Sequence, residues 1–548
     1  MSKLNPHPVL IEDLSHTHKG DRIGGERHYQ RLGEKLTGNR RESSPYEITF
    51  ADDLKWRPLC HKELSVDDVL AFKDAIHNDW FFEMFVEDLP MWGYIGEVVK
   101  EDFIIGEVEG SSTFLFTHLN FKFGTNNGNI VSAQSSVDRS FKVELTDEPV
   151  DVHFSYSVQW ETSSLQWKDR MSTYIDNQFD SNVKIHWLSI INSIVLVMLL
   201  MSFLTIILVR IVKNDFVDVE DQGYSEDEAG WKLIHGDVFR FPNHICIFAS
   251  AIGTGLQLAL TAIVVSILAL SGTISTTRRG SILTATVVSY CLLSLVGGYG
   301  SGSLYSQFGG KNWSRNALCT ALLFPGPLFL IFCTSNSVAI MHKSTSALTF
   351  GAIVTILALY FLLSLPLTIV GSIYAKNENH KFSAPTRTTK VAREIPTEIP
   401  WYMSRVMQLL VCSTIPFSAI YIEMNYIFAS MWGHQIYTLF GILFVSLLLI
   451  IVVTSFMAVT VLYFQLTCED HRWWWNSFIN GGSIGFMMLL YSFVYFVFKT
   501  EMNGVLQASF FFGYMAALSY ACFLITGTAA FYSSLTFVRF IFSRIKCD

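Results

Sequence analysis

The stretch KIHWLSIINSIVLVMLLMSFLTIILVRIVKN, residues 184–214, decides how the rest of the chain is read. Between Trp187 and Val209 it carries no charge, and as a helix that run covers ~35 Å, enough to cross a hydrocarbon core of ~30 Å. It is a membrane-spanning helix. His186 and Trp187 suit an interface on one side, while Arg210 and Lys213 follow on the other, where the positive-inside bias places the cytosol. Everything before residue 185 is then expected to be lumenal or extracellular.

The composition agrees with a polar start and an apolar remainder. The 548 residues are 50% hydrophobic and 16% charged, and the mean hydropathy of +0.34 is too apolar for an ordinary soluble protein. The net charge of -8 comes largely from the N-terminal third and from 215–228, so no nucleic-acid partner is expected. Nine cysteines include no CxxC pair and no metal-ligand spacing, and no cofactor or metal is expected. Only Cys60 falls in the expected lumenal part, where an unpaired thiol is unusual. MSKLNPHPVLIEDLSHTHKGDRIGG has no apolar core of the kind a signal peptide needs. The expectation is a chain start downstream of the ancestral one, with first-helix targeting as the alternative.

Taken in order, residues 1–44 show no hydrophobic period, and their histidines at 7, 16, 18 and 28 are irregularly spaced, as in a solvated tail. Residues 45–183 form a β-rich lumenal domain with one helix. Ser65 and Asp68 make a capping box, with Val69, Phe72 and Ile76 following at helical spacing over about 66–78. TFLFTHLNFKFG, IVSAQSSV, SFKVEL and VDVHFSYSVQW alternate as strands, broken by turn signals at Asn126-Asn127-Gly128 and Asp147-Glu148-Pro149. Residues 184–548 form the membrane domain. After the first crossing, apolar segments recur at about 245–270, 281–306, 316–341, 347–374, 405–430, 436–464, 474–498 and 508–536.

Nine crossings place the termini on opposite sides. The segments expected in the cytosol hold about sixteen Lys and Arg, against about four in the lumenal loops, where Arg278 and Arg279 are the local exception. The sequon Asn312-Trp313-Ser314 falls on the cytosolic side of this map, so no sugar is expected there.

Several features inside the crossings bear on function. Gly297-Gly298-Tyr299-Gly300-Ser301-Gly302-Ser303 is a row of small residues that either packs helices or lines a path. Pro325, Pro327, Pro366 and Pro416 each free a backbone carbonyl within the membrane, and such groups must be satisfied by protein or trapped water. Glu423 is the one carboxylate within a crossing. Three readings stand for it: a proton or cation relay, a lock to a polar group on another helix, or a residue near the lumenal interface. Arg472, Trp473, Trp474 and Trp475 suit an interfacial anchor in the lipid headgroups. No HExxH, P-loop or paired acids occur, so nothing points to an enzyme.

The chain resembles the nonaspanin family, also called the transmembrane nine superfamily or EMP70-like proteins. The resemblance runs from about Leu32 to Asp548 and rests on FVEDLPMWGYIGE (85–97), FSYSVQW (154–160), KIHWLSIINS (184–193), GWKLIHGDVFR (230–240), CEDHRWWW (468–475) and the terminal RIKCD, with RLGEKLTGNR (31–40) similar to the family's LGE-x-L-x-GN segment. His471 stands where the family usually has Tyr. The resemblance implies a multi-pass Golgi and endosomal protein that sorts or delivers other membrane proteins, particularly clients with glycine-rich or polar transmembrane segments. It also implies that Lys546 and Asp548 form a tail signal read by the COPI coat, an ammonium at fixed spacing from a carboxylate pair.

Glycine rows and a buried acid offer a means of recognising a client helix in the lipid bilayer, by close backbone approach and a shared hydrogen bond. On this reading Glu423, Gly298, Tyr299, Gly300 and Gly302 are the candidate client or ion site. A secondary transporter of a small solute or ion through a cavity containing Glu423 is the alternative; no inverted repeat of broken helices supports it.

Overall fold

Helix formation in the C-terminal part follows from uninterrupted apolar runs, since only a helix satisfies its own backbone in hydrocarbon. The computed structural model describes residues 9–11, 22–23, 42–77, 81–86, 89–100, 111–167, 170, 191, 194–195, 197–206, 209–210, 213, 230–274, 280–342, 344, 347–378, 381–396, 400–432, 440–500, 502 and 504–543. The chain divides into an N-terminal β-rich unit and a helical unit.

In the N-terminal unit the main sheet has four strands in the order Asn129–Val137, His118–Asn126, Val150–Thr162, Leu54–Leu64. The first two form a hairpin through Asn127 and Gly128, both at positive φ (50° and 79°), the geometry that an Asn-Gly turn supplies without strain. His118–Asn126 runs parallel to Val150–Thr162, which pairs antiparallel with the edge strand Leu54–Leu64. Alternation along these strands puts Phe121, Phe123, Tyr156 and Val158 on one face, packed against Met84, Val86, Leu89 and Met91. Helix α1 (Val66–His77) is capped as its sequence indicates: Ser65 N–H donates to Asp68 and Asp68 N–H to Ser65 Oγ. Its Val69 and Ile76 enter a second core with Leu64, Leu115 and Val152.

In the helical unit, the segment expected to be the first crossing contains an apolar helix, α2 (Val197–Ile206), shorter than a span among the described residues. Eight further spans among the described residues are long and apolar enough to cross a membrane, and each lies within a few residues of the expected segment. They are α3 (Ile245–Leu270), α4 (Ser281–Gln307), the pair α5 (Trp313–Leu323) and α6 (Pro325–Met341), the pair α7 (Phe350–Leu359) and α8 (Leu365–Glu378), α9 (Arg405–Trp432), α10 (Phe440–Thr467), α11 (Trp473–Lys499) and α12 (Val505–Phe542). The protein is therefore a multi-pass α-helical membrane protein with a β-rich N-terminal domain.

The bundle is apolar outside, and part of its interior is polar. Leu330, Leu362, Phe486 and Phe498 are exposed on helix surfaces, whereas Ser250, Ser301, Asn316 and Thr320 are buried and bonded to one another. Thr320 Oγ1 lies 2.7 Å from Ser301 Oγ and 3.1 Å from Ser250 Oγ, and Asn316 Nδ2 donates to Ser301 Oγ at 2.8 Å, joining α3, α4 and α5. In a solvent that offers no hydrogen bonds, such a cluster holds helices together where burial of apolar area does not.

Two of the prolines are answered by side chains from other helices. Pro325 has no N–H for the Ala321 carbonyl, and Pro327 none for that of Leu323. Tyr360 Oη donates to the first at 3.1 Å and Tyr520 Oη to the second at 2.9 Å. Before Pro366 the helix widens to a π turn at Tyr360–Ser364, and the Ser364 carbonyl accepts Ser294 Oγ from α4 at 3.0 Å. The freed Ala321 and Leu323 carbonyls are thus satisfied by protein side chains within the bundle.

Candidate functional site

The most elaborate side-chain constellation of the helical unit sits at one end of the bundle, where α3 and α11 begin and α10 and α12 finish. Gly230 enters at φ 91° and starts a short 3-10 turn, Trp231–Ile234. Trp231, Ile234, Val238 and Phe239 then bury themselves against Trp473, Trp474, Phe531 and Phe542. Trp473 Nε1 donates to the Val238 carbonyl and Trp475 Nε1 to that of Asn243, both at 2.8 Å. Two stretches far apart in sequence, GWKLIHGDVFR and CEDHRWWW, thus form one aromatic knot.

A strap, residues 381–396, ties this knot from outside. Thr386 Oγ1 donates to the His235 carbonyl at 2.7 Å, and Thr389 N–H to that of Gly236 at 2.8 Å. A Cβ on Gly236 would come within 2.6 Å of Thr389 Cγ2, so the strap lies where only glycine lets it approach. Asp237 is the centre, 5% exposed. Its carboxylate accepts Arg240 Nη2 at 2.7 Å, Thr389 Oγ1 at 2.9 Å and the Arg393 N–H at 3.2 Å. Burial pushes its pKa up, but these donors outweigh burial and hold it below the ordinary aspartate value. Arg393 also reaches Glu469 at 3.0 Å, and Glu469 sits at φ 60° in the turn before Trp473. Phe382 packs against Phe239, Phe308 and Trp474 beneath the Arg539 guanidinium, 4.8 Å from its ring centre.

The sequence-based sites fare differently. Trp473 and Trp474 are 0% and 2% exposed. The expectation that they anchor in headgroups is corrected: three tryptophans at a helix start give the same signal whether they face lipid or protein. Arg472 remains mostly exposed and pairs with Asp470 at 3.3 Å. His471 is buried beside them, its Nδ1 without a hydrogen-bond partner among the described residues.

The glycine row is closed. A Cβ on Gly298 would collide with the Thr368 backbone of α8. One on Gly302 would meet Ala375 and Ser372, at 3.0 and 3.1 Å, and one on Gly300 would meet Leu256 of α3, at 3.1 Å. Gly298, Gly300 and Gly302 therefore pack this protein's own helices, which corrects their assignment to a client surface. Tyr299 turns away and donates to Glu378 at 2.7 Å.

Glu423 has other neighbours. Its flanking residues Ile420 and Met424 pack with Ile484 and Met488 of α11. It is 5% exposed, and its Oε2 has no hydrogen-bond partner among the described residues. Lys546 and Asp548 lie outside the described residues.

Comparison with known proteins decides the family. The profile described as endomembrane protein 70 matches residues 14–505. The chain belongs to the endomembrane protein 70 family. Within it, the chain is 44% identical over 524 residues to "Transmembrane 9 superfamily member 4" of Arabidopsis thaliana, covering 94% of this chain and 88% of that one. It is 38% identical over 532 residues to "Transmembrane 9 superfamily member 1" of Mus musculus, covering 94% and 87%. No solved structure matches the chain. Of the residues that tie the strap to the knot, Asp237, Thr386, Thr389, Arg393 and Glu469 carry no mark in the sequence alone. Only Asp237 and Glu469 lie inside stretches that carried the family resemblance.

Proposed function

We propose that this protein is a Golgi and endosomal membrane protein that assists the sorting and localisation of other membrane proteins by engaging their transmembrane helices. The observation that carries the reading is Glu423, a buried carboxylate with an unpartnered oxygen in an otherwise apolar cluster of α9 and α11. An acid in that position is costly in hydrocarbon unless something polar meets it, and a polar group on a client helix would do so. Glu423 lies ~27 Å along α9 from Arg405, toward the end opposite the knot.

Charge supports one orientation of this reading. Among the described residues Arg240, Arg315, Lys376, Lys390, Arg393 and Arg472 gather at the knot end, while Lys499 lies at the other. The positive-inside bias then favours a cytosolic knot and tail and a lumenal β-rich domain. In that orientation Lys546 and Asp548 stand where the COPI coat would read them.

The test is Glu423→Gln, verified as folded and correctly located. Delivery of clients with polar or glycine-rich transmembrane segments to the surface is expected to fall, and crosslinks from α9 to client helices to weaken. Delivery equal to the parent's would remove Glu423 from client recognition. In sealed vesicles, pH-dependent solute or ion uptake by the purified protein would replace this reading with a secondary transporter.

A further inference from the structure

The outer face of the main sheet in the N-terminal unit carries a cluster that the family reading does not use. In the register of Val150–Thr162 with Leu54–Leu64, His153 stands directly opposite His61, and Asp151 opposite Glu63. Strand side chains alternate, so residues two apart share a face, and all four project from the same side. Val152, between Asp151 and His153, is buried in the core instead. The two imidazoles stack with centroids 4.4 Å apart, and His61 Nε2 lies 2.5 Å from Asp151 Oδ1. One ligand atom from each of His61, Asp151 and His153 falls within 4.8 Å of the other two.

We propose that His61, Asp151 and His153 form a binding site for a divalent transition-metal ion of the zinc type. Zinc takes imidazole nitrogen and carboxylate oxygen at about 2.0–2.2 Å in a tetrahedron, which sets its ligand atoms about 3.4 Å apart. Exposed side chains on a rigid ladder reach that spacing by small χ rotations. Two imidazoles select against calcium and magnesium, which want oxygen. Three protein ligands leave a fourth position open to water or to Glu63, next along the same face. Because the ligands come from two neighbouring strands, one of them the sheet edge, a bound ion clips that edge strand to the rest of the sheet.

The probe is Zn²⁺ alone, titrated calorimetrically into the full chain in detergent micelles after chelator treatment, with Mg²⁺ as the control ion. One equivalent is expected to bind and to raise the thermal midpoint. The doubly substituted His61→Ala, His153→Ala chain should lose that equivalent, and Asp151→Asn should bind at least about tenfold more weakly. A His16→Ala, His18→Ala chain should bind as the parent does. Equal melting of parent and variants in chelator shows that the exposed substitutions leave the fold intact. The proposal is overturned if the parent takes up no zinc. It is equally overturned if the His61→Ala, His153→Ala chain keeps the parent's stoichiometry and affinity, which would make the cluster an ordinary surface ion pair.

Discussion

Removing the Tyr520 hydroxyl should cost stability only because Pro327 is present. The Leu323 carbonyl has lost its helical donor to the Pro327 ring, and Tyr520 Oη replaces it at 2.9 Å. Tyr520→Phe keeps the ring, including its stacking on Phe324 at 5.9 Å, and deletes one hydrogen bond. Interhelical hydrogen bonds in membranes average about 0.6 kcal/mol and reach about 1.7, and an otherwise donorless carbonyl belongs toward the upper end, so about 1–1.5 kcal/mol is expected. In a Pro327→Ala background residue 327 regains its N–H, and the same hydroxyl deletion should cost less than half as much. The assay is equilibrium unfolding of the full chain in mixed micelles with increasing dodecyl sulfate, run as a double-mutant cycle so that the effect of Pro327→Ala itself cancels. The corresponding cycle on Tyr360 and Pro325 gives a second reading of the same idea, through the Ala321 carbonyl. Additive costs in both cycles would show that the tyrosines do not compensate the prolines, and the account of the broken helices would be wrong.

Asp237→Ala removes the carboxylate that Arg240, Thr389 and the Arg393 N–H share, leaving Arg240 and Thr389 only backbone carbonyls, and should destabilise the helical unit by about 2–4 kcal/mol, read as a lowered unfolding midpoint and faster proteolysis of the strap. Since the folded pKa of Asp237 lies below its unfolded value, its contribution is complete above about pH 4 and is lost as pH falls through the folded pKa; Asp237→Asn should flatten that part of an acid-unfolding profile. Gly298→Ala places a methyl against the Thr368 backbone and should cost about 1–3 kcal/mol, whereas Gly351→Ala, with open space around it, should be near neutral in the same unfolding assay.

Some of this was legible in the chain and some was not, for physical reasons. Long apolar runs mark their own helices, and the capping box at Ser65 and the turn at Asn127-Gly128 act within four residues, so local pattern suffices. The strap shows no period at all: Thr389 and Asp237 are 152 positions apart, and a polar segment rich in Lys and Arg reads as a solvated loop until its partners are seen. The prolines announce freed carbonyls but not the tyrosines that answer them, which come from other helices. Glycine rows and tryptophan runs are ambiguous in a deeper way, because lipid, client and neighbouring helix all reward the same residues. His61 and His153 meet only through strand register, which no local spacing encodes.

Helix α12 extends about 57 Å, far more than a bilayer's hydrocarbon needs, and its last turn brings Phe542 to within 5.5 Å of Trp231, ring centre to ring centre. A helix of that length does more than cross the hydrocarbon: beyond the span it carries Val538, Ile541 and Phe542 into the buried core of the aromatic knot. Shortening α12 by about two turns would leave enough helix to cross the bilayer and still take those three side chains out of the knot.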